Sequence, residues 1–396
     1  MHARSRSSTR TTWKRRLPVA TMVALLCAAQ AVAAGPPAMG RADAVEVIRE
    51  LRRIVTPEGV ERYEFVAIGG LRQFVSIRGQ DRSNPVLLLV HGGPGFPTSG
   101  IAWWATRPLE EYFTVVHWDQ RGSGRTHLAN DPGAVAPTMT PERFVDDIEE
   151  LVAWLRRESG QDRVFLLGTS WGSVIGLEFA RRRPEWLHAY IGMGQAIDVP
   201  ESERRGHAHA LAAARAAGNA QAVAELESIM PYAEPGRPIP LADIVLERKW
   251  SDHYGGVMAY RQRQVDGIAV RLSPEYPDED AARAYAGNGW SQQFLLSDVL
   301  GLDLTHVNRL RCPLIVLAGR HDRTVNSDVA REWFDVVEAP FKHFEWFEHS
   351  AHEILAEEPG KLLLTLVTHA RPLAAASPPS PPSRASPAPP SPPDSL

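Results

Sequence analysis

The 396-residue chain predicts an α/β fold, a mostly parallel central sheet flanked by helices, with an inserted helical cap. Three observations predict it. Short apolar runs recur at 86–90 (VLLLV), 164–167 (VFLL) and 314–318 (LIVLA), and each leads into a glycine-containing turn. Such runs belong to strands buried on both faces of a parallel sheet. Helical patterns alternate with them, as in repeated strand–helix units. The alternation then fails over 196–305, a stretch rich in Ala, Arg and Glu with proline-rich joints at 231–240 and 274–277, which reads as an insertion in one sheet. With 44% apolar residues, a chain of this length buries a substantial core.

The elements follow in order. Residues 1–16 carry six Lys/Arg and no acid, 17–29 are apolar, and 31–34 (AVAA) offer small residues for cleavage. This is a signal-peptide layout, expected to span 1–34 and to send the protein to the periplasm or outside the cell. An uncleaved membrane tether is the alternative, although the apolar run is short for a span and contains Pro18. Cleavage removes six cations and takes the net charge from −4 to −10, which argues against nucleic-acid binding. It also leaves Cys312 as the lone cysteine, so no intramolecular disulfide forms.

The first part of the core is expected at 35–195. Residues 42–54 read as an amphipathic helix, 60–78 as a hairpin turning at Gly69-Gly70, and 113–118 as the strand before D-Q-R-G-S-G-R at 119–125. Asp119 and Arg121 are expected to shape that turn. Thr140 followed by Pro141 starts a helix whose Asp146, Asp147, Glu149 and Glu150 read as a solvated face. The cap spans 196–305 and the second part of the core 306–371. The tail, 372–396, holds 10 of the 32 prolines and is expected to be extended and disordered.

The chemistry lies at the strand ends. Residues 166–173 (LLGTSWGS) run from a strand through G-x-S-x-G into a helix, the pattern of a nucleophile elbow. Its glycines leave room for the tight crossing, Ser170 is presented at the top of the sheet, and the N–H of Trp171 points where an oxyanion forms. Upstream, the strand at 86–90 runs into His91-Gly92-Gly93-Pro94-Gly95, a loop of the type that supplies the second oxyanion N–H, here from Gly93. A serine needs a base, and the base an orienting carboxylate. Asp322 follows the strand at 314–319, in preference to Asp328 inside the next helix and Asp303 before the strand. His349 and His352 both follow a final strand at 343–347. The loop E-H-S-A-H-E matches one whose second histidine is the base, which selects His352 and leaves His349 to shape the loop. The spacing offers no H-E-x-x-H and no third ligand, so no metal is expected. Ser, Asp and His then occur in the chain order of α/β-hydrolases.

Taken together, HGGPG at 91–95, DQRGSGR at 119–125, GTSWGS at 168–173, GRHD at 319–322 and HSAH at 349–352 resemble the prolyl aminopeptidases, or proline iminopeptidases. Thr169 stands where that family usually has glycine. The resemblance covers about 60–372 and weakens over 196–305. It implies an α/β-hydrolase core with a helical cap. The implied activity is release of an N-terminal residue, typically proline, through an acyl-enzyme. It assigns Ser170 as nucleophile, Asp322 as acid and His352 as base, with no cofactor.

The cap is expected to select the substrate, a small peptide, amide or ester. Glu201, Glu203 and Glu227 are candidates for holding a cationic amine, against the plainer reading of a solvated helix face. Phe96, Trp103, Trp104 and Trp290 are candidates for an apolar pocket wall. His207 and His209 read as exposed. A carboxylesterase or lactonase would use the same machinery. A non-catalytic binding module would usually have lost one of the three residues, and all three are here.

Overall fold

The computed structural model describes residues 39–234, 236–260 and 266–375. The expected export segment at 1–34 and positions 376–396 of the expected tail lie outside the described residues. Positions 372–375, the start of that tail by sequence, form a helical turn, Pro372–Ala375. The chain divides into two compact units, 1–47 and 48–396, the boundary falling within helix α1 (Arg41–Arg52).

The second unit holds one eight-stranded sheet. Its strands are β1 (Val60–Ile68), β2 (Leu71–Gly79), β3 (Val86–Val90), β4 (Thr114–Trp118), β5 (Val164–Thr169), β6 (Leu187–Met193), β7 (Leu314–Gly319) and β8 (Lys342–Phe347), ordered β1-β2-β4-β3-β5-β6-β7-β8. The β1–β2 and β2–β4 pairs are antiparallel, and every later pair is parallel. Gly69 and Gly70, both at positive φ (56° and 76°), make the tight turn of the β1–β2 hairpin.

Alternation along the strands builds two cores. Val86, Leu88 and Val90 join one apolar cluster with Leu314 and Val316, while Leu87, Leu89, Ile315 and Leu317 point to the opposite face. The first face is covered by α2 (Pro141–Ser159), α3 (Trp171–Arg182) and a later helix, Ser327–Val336. Helix α2 starts where Thr140 accepts a hydrogen bond from the Arg143 N–H (3.3 Å) and stops at Gly160 (φ 69°). Its Phe144, Ile148, Leu151 and Leu155 form the buried stripe. The expected solvated face of α2 needs one correction. Asp147 is fully buried, because the Arg121 guanidinium grips it through Nε (2.6 Å) and Nη2 (2.9 Å).

Between β6 and β7 the chain leaves the sheet. It builds α4 (Val199–Ala216), α5 (Ala220–Ser228), α6 (Leu241–His253) and α7 (Ala286–Leu300); Ser327–Val336 is α8. Ala210, Leu211, Ala214, Ala222, Leu226 and Trp250 give this insertion a small core of its own. His209 is exposed as expected, but His207 is buried, its Nε2 on the Leu226 carbonyl (3.0 Å) and its ring stacked on Tyr232. No helix among the described residues is long and apolar enough to cross a membrane.

This topology positions the site. Parallel strands carry their carboxyl ends to one edge, and loops there meet across the sheet. The HGGPG loop follows β3, Ser170 follows β5, Asp322 follows β7 and the His352 loop follows β8.

Candidate active site

Ser170 links β5 to α3 with φ 53° and ψ −120°, a left-handed conformation that a residue with a side chain adopts only under constraint. The constraint is visible in its neighbours. The Ser170 N–H donates to the Met193 carbonyl (3.1 Å), and its carbonyl accepts from the N–H (2.8 Å) and hydroxyl (2.6 Å) of Ser173. A Cβ on Gly168 would lie 2.4 Å from the Gly172 carbonyl oxygen, and one on Gly172 only 2.0 Å from that of Val90. Both glycines are therefore fixed by backbone approaching backbone. Thr169 has no such restriction, since it belongs to β5.

His352 sits in a loop pinned from below. Glu358 accepts from His349 N–H (2.9 Å) and Ser350 hydroxyl (2.8 Å), and Glu357 accepts from Ala351 N–H (2.8 Å). The Nδ1 of His352 is 2.8 Å from Asp322 Oδ2. Asp322 is fully buried, and its other oxygen accepts from the N–H groups of Thr324 and Val325, each at 2.9 Å. A carboxylate so held fixes the imidazole with Nδ1–H toward it. Burial disfavours the imidazolium, but the Asp322 carboxylate outweighs it and raises His352 to about 8. The competing acids are elsewhere: Asp303 caps Thr305 (2.9 Å), and Asp328 on α8 faces Arg323 (3.6 Å).

The three glycine-bearing motifs are joined by one residue that sequence reasoning passed over. Gln120 accepts from the Trp171 indole (3.2 Å) and donates to the His91 carbonyl (2.8 Å), and its N–H reaches His91 Nε2 (3.3 Å). Nε2 then acts as acceptor, and Nδ1–H faces the Gly92 carbonyl (2.9 Å). Burial holds this histidine down at about 4, so the ring is neutral. On either side, Asp119 accepts from Ser99 (2.5 Å), Tyr276 (2.7 Å) and the Arg125 N–H (2.8 Å). Arg121 holds Asp147. Both residues shape the turn, as the sequence predicts. The signal for Gln120 was its place inside the motif; its partners are 29 and 51 residues away.

A cavity of about 490 Å³ opens over this edge. Ser170, His352, Gly92, Gly93, Phe96 and Thr98 line it from the core, and Arg248, Asp252, Asn288 and Gln292 from the cap. Of the candidate substrate contacts, Phe96 lies on the wall, stacked on Tyr285 (4.4 Å). Trp103, Trp104, Glu201, Glu203 and Trp290 are not among the lining residues. Trp103 donates to the Ala269 carbonyl (3.0 Å), Trp104 packs on the core, and Trp290 packs against His127 and Phe294. Glu201 is taken by Arg204 and Arg205, and Glu227 by Arg215. Glu203 is buried and stands one layer back, accepting from Tyr232 (2.7 Å) and from Arg248, which Glu247 also holds. Burial pushes Glu247 up to about 7 despite that guanidinium.

Asp252 is the acid that the sequence did not single out. It is half-buried on the wall, and among the described residues its carboxylate takes part in no ion pair or hydrogen bond. Burial raises its pKa, and the neighbouring His253 offsets that only in part.

The family described as serine aminopeptidase, S33, matches residues 85–359. A probable aminopeptidase of Bacillus subtilis, YbaC, is 30% identical over 311 residues, covering 77% of this chain and 95% of that protein. A proline iminopeptidase of Lactobacillus delbrueckii subsp. bulgaricus is 22% identical over 310 residues, covering 75% and 94%. Among solved structures, a proline iminopeptidase of Mycobacterium smegmatis superposes with a TM-score of 0.57 at 21% identity, over 80% of this chain and 99% of the other. The chain belongs to the serine aminopeptidase family S33. It is an α/β-hydrolase and a serine hydrolase resembling the prolyl aminopeptidases.

Proposed function

We propose that this serine hydrolase is an exported aminopeptidase of the proline iminopeptidase type, working through Ser170, His352 and Asp322. Ser170 Oγ attacks the carbonyl carbon of the first residue while His352 Nε2 takes its proton. Asp322 holds the imidazole and offsets its charge. The oxyanion is received by the N–H groups of Gly93 and Trp171. His352 returns the proton to the leaving amine, and water releases the acyl group from Ser170 by the same steps.

The observation that carries this reading is the Asp322–His352 pair, 2.8 Å long, opening on the cavity that Ser170 also lines. The aminopeptidase half rests on Asp252. A half-buried carboxylate that, among the described residues, makes no ion pair or hydrogen bond binds an ammonium group strongly, since its desolvation is already met in the free protein. The Arg248 charge cannot play the opposite part, because Glu203 and Glu247 neutralise it. The basic, then apolar, segment at 1–34 supports export.

The test compares the purified protein with Ser170→Ala and Asp252→Asn on proline p-nitroanilide, its N-acetyl form and p-nitrophenyl butyrate. Ser170→Ala loses roughly 10⁴-fold or more on every substrate cleaved. Asp252→Asn raises KM for the free-amine anilide roughly 10–100-fold, the worth of one charged hydrogen bond. It leaves the butyrate unchanged. Ester cleavage without anilide cleavage would make the protein a carboxylesterase or lactonase with the same machinery.

A further inference from the structure

Strand β8 ends the sheet and carries a second cluster on its own side chains, apart from the His352 loop that follows its carboxyl end. His343 and Glu345, two residues apart on the strand, project to one face. His369 meets them from a π-helical turn, Leu366–Ala370, a distortion that occurs often where a helix serves a site. The ligand atoms of these three side chains all lie within 4.8 Å of one another. His343 Nε2 is 3.1 Å from Glu345 Oε2, and the two imidazoles stack with centroids 3.8 Å apart. Among the described residues, the ring nitrogens of His369 make no hydrogen bond. The other carboxylate oxygen, Oε1, is held by Lys361 Nζ (2.8 Å), which also donates to the Trp346 carbonyl (2.5 Å).

We propose that His343, Glu345 and His369 bind one divalent transition-metal ion of the Zn²⁺ class, clamping edge strand β8 to the turn at Leu366–Ala370. Two imidazoles and a carboxylate are a donor set suited to Zn²⁺ and its neighbours, and poorly suited to Ca²⁺ or Mg²⁺. Ligands about 2.1 Å from a tetrahedral ion lie roughly 3.4 Å from one another. The His343–Glu345 separation is already near that, so an ion replaces one hydrogen bond; His369 joins by turning out of its stack on His343, which brings its in-plane nitrogen lone pair onto the ion. Lys361 orients the carboxylate from outside, as supporting partners of metal ligands do. The three residues are half-buried, which leaves a fourth position to water. The site is independent of the hydrolytic one and of the activity proposed for it.

The full chain, purified without a polyhistidine tag and stripped with chelator, is titrated with ZnCl₂ by calorimetry and scanned for thermal unfolding. One equivalent is expected to bind, with a rise in Tm of about 2–4 °C at saturation. His369→Ala and Glu345→Gln each weaken binding roughly tenfold or more. Ser170-dependent hydrolysis reports that each variant is folded; should His369→Ala fail to fold, the near-isosteric Glu345→Gln decides. Absence of binding below millimolar Zn²⁺ overturns the proposal. So does one equivalent bound equally well by the wild type and both variants, which would put the ion on other histidines.

Discussion

The carboxyl edge of the sheet and the cap above it share one cavity but are held by different forces. On the edge, backbone packs on backbone: Gly172 against the Val90 carbonyl, Gly168 against Gly172, and Gly319 against Ala351, whose oxygen lies 1.9 Å from where a Cβ would stand. In the cap, around a small apolar core, long side chains neutralise one another: Arg248 between Glu203 and Glu247, Lys249 on Glu225 (2.6 Å), Arg215 on Glu227 (2.7 Å). Backbone contacts tolerate almost no substitution and hold the side chains that they carry in one place. Ion pairs between flexible side chains tolerate repacking. The edge therefore suits the proposed machinery, and the cap suits the proposed selection of substrate.

The comparison breaks most sharply at Asp322. Asp322→Asn is expected to lower kcat about 10⁴-fold with the fold intact, since an amide no longer holds the imidazole in its working tautomer. The pH profile tests the same contact by sign. With His352 raised to about 8, the free protein carries a protonated base below that pH. kcat/KM should then fall about tenfold per pH unit on the acid side of 8. Asp322→Asn removes the carboxylate that raises His352 and leaves burial, which lowers it, so the residual activity should show its limb at lower pH. Conservative cap substitutions such as Asp252→Asn should change KM and leave the limb near 8. A limb that moved equally with edge and cap variants would mean that the two regions are not separable.

Gly172→Ala comes next. An added Cβ meets the Val90 carbonyl oxygen at 2.0 Å, and both partners are main chain, so β3 or α3 must shift. The expected cost is about 1–3 kcal/mol, read as a lower midpoint in urea unfolding, together with loss of hydrolysis as Ser170 moves off the cavity. Wild-type stability and rate in this variant would show that the elbow is looser than its contacts.

This division also explains what could be read from the sequence. The strands at 86–90, 164–167 and 314–319 are continuous apolar runs because both faces are covered, and such runs are visible in one dimension. Ser170, Asp322 and His352 each lie within a few residues of a strand end, so local motifs located them. The cap gave no such handle. Asp252 sits in LERKWSDH on α6, where alternating charge looks the same whether a residue faces the cavity, a partner or water. Glu203 looked like a solvated helix residue and is buried, because Tyr232 and Arg248, 29 and 45 positions away, satisfy it. Asp147 was misread for the same reason: its partner Arg121 is on another element. The clustering of His343 and Glu345 with His369 depends on a packing contact that no local pattern encodes.

The smallest effect lies within helix α7 and separates the two forces on a single element. Gly289 is exposed and an added Cβ there meets nothing within 4 Å, whereas one on Gly287 would lie 2.1 Å from the Gly122 carbonyl oxygen in the turn after β4. Glycine in a helix interior costs about 0.5–1 kcal/mol relative to alanine, so Gly289→Ala should stabilise the protein by about that much. It should leave hydrolysis unchanged, although Asn288 and Gln292 on the same helix line the cavity. Gly287→Ala should do the opposite, lowering the unfolding midpoint and disturbing the cavity wall, because here the cap meets the core backbone to backbone. If both substitutions stabilised, the seam between cap and edge would be held by side chains alone, and the cap would be free to move as a lid. If only Gly289→Ala does, the rigid packing of the edge extends one helical turn into the cap, and α7 is the fixed wall against which α6, with Asp252, is varied.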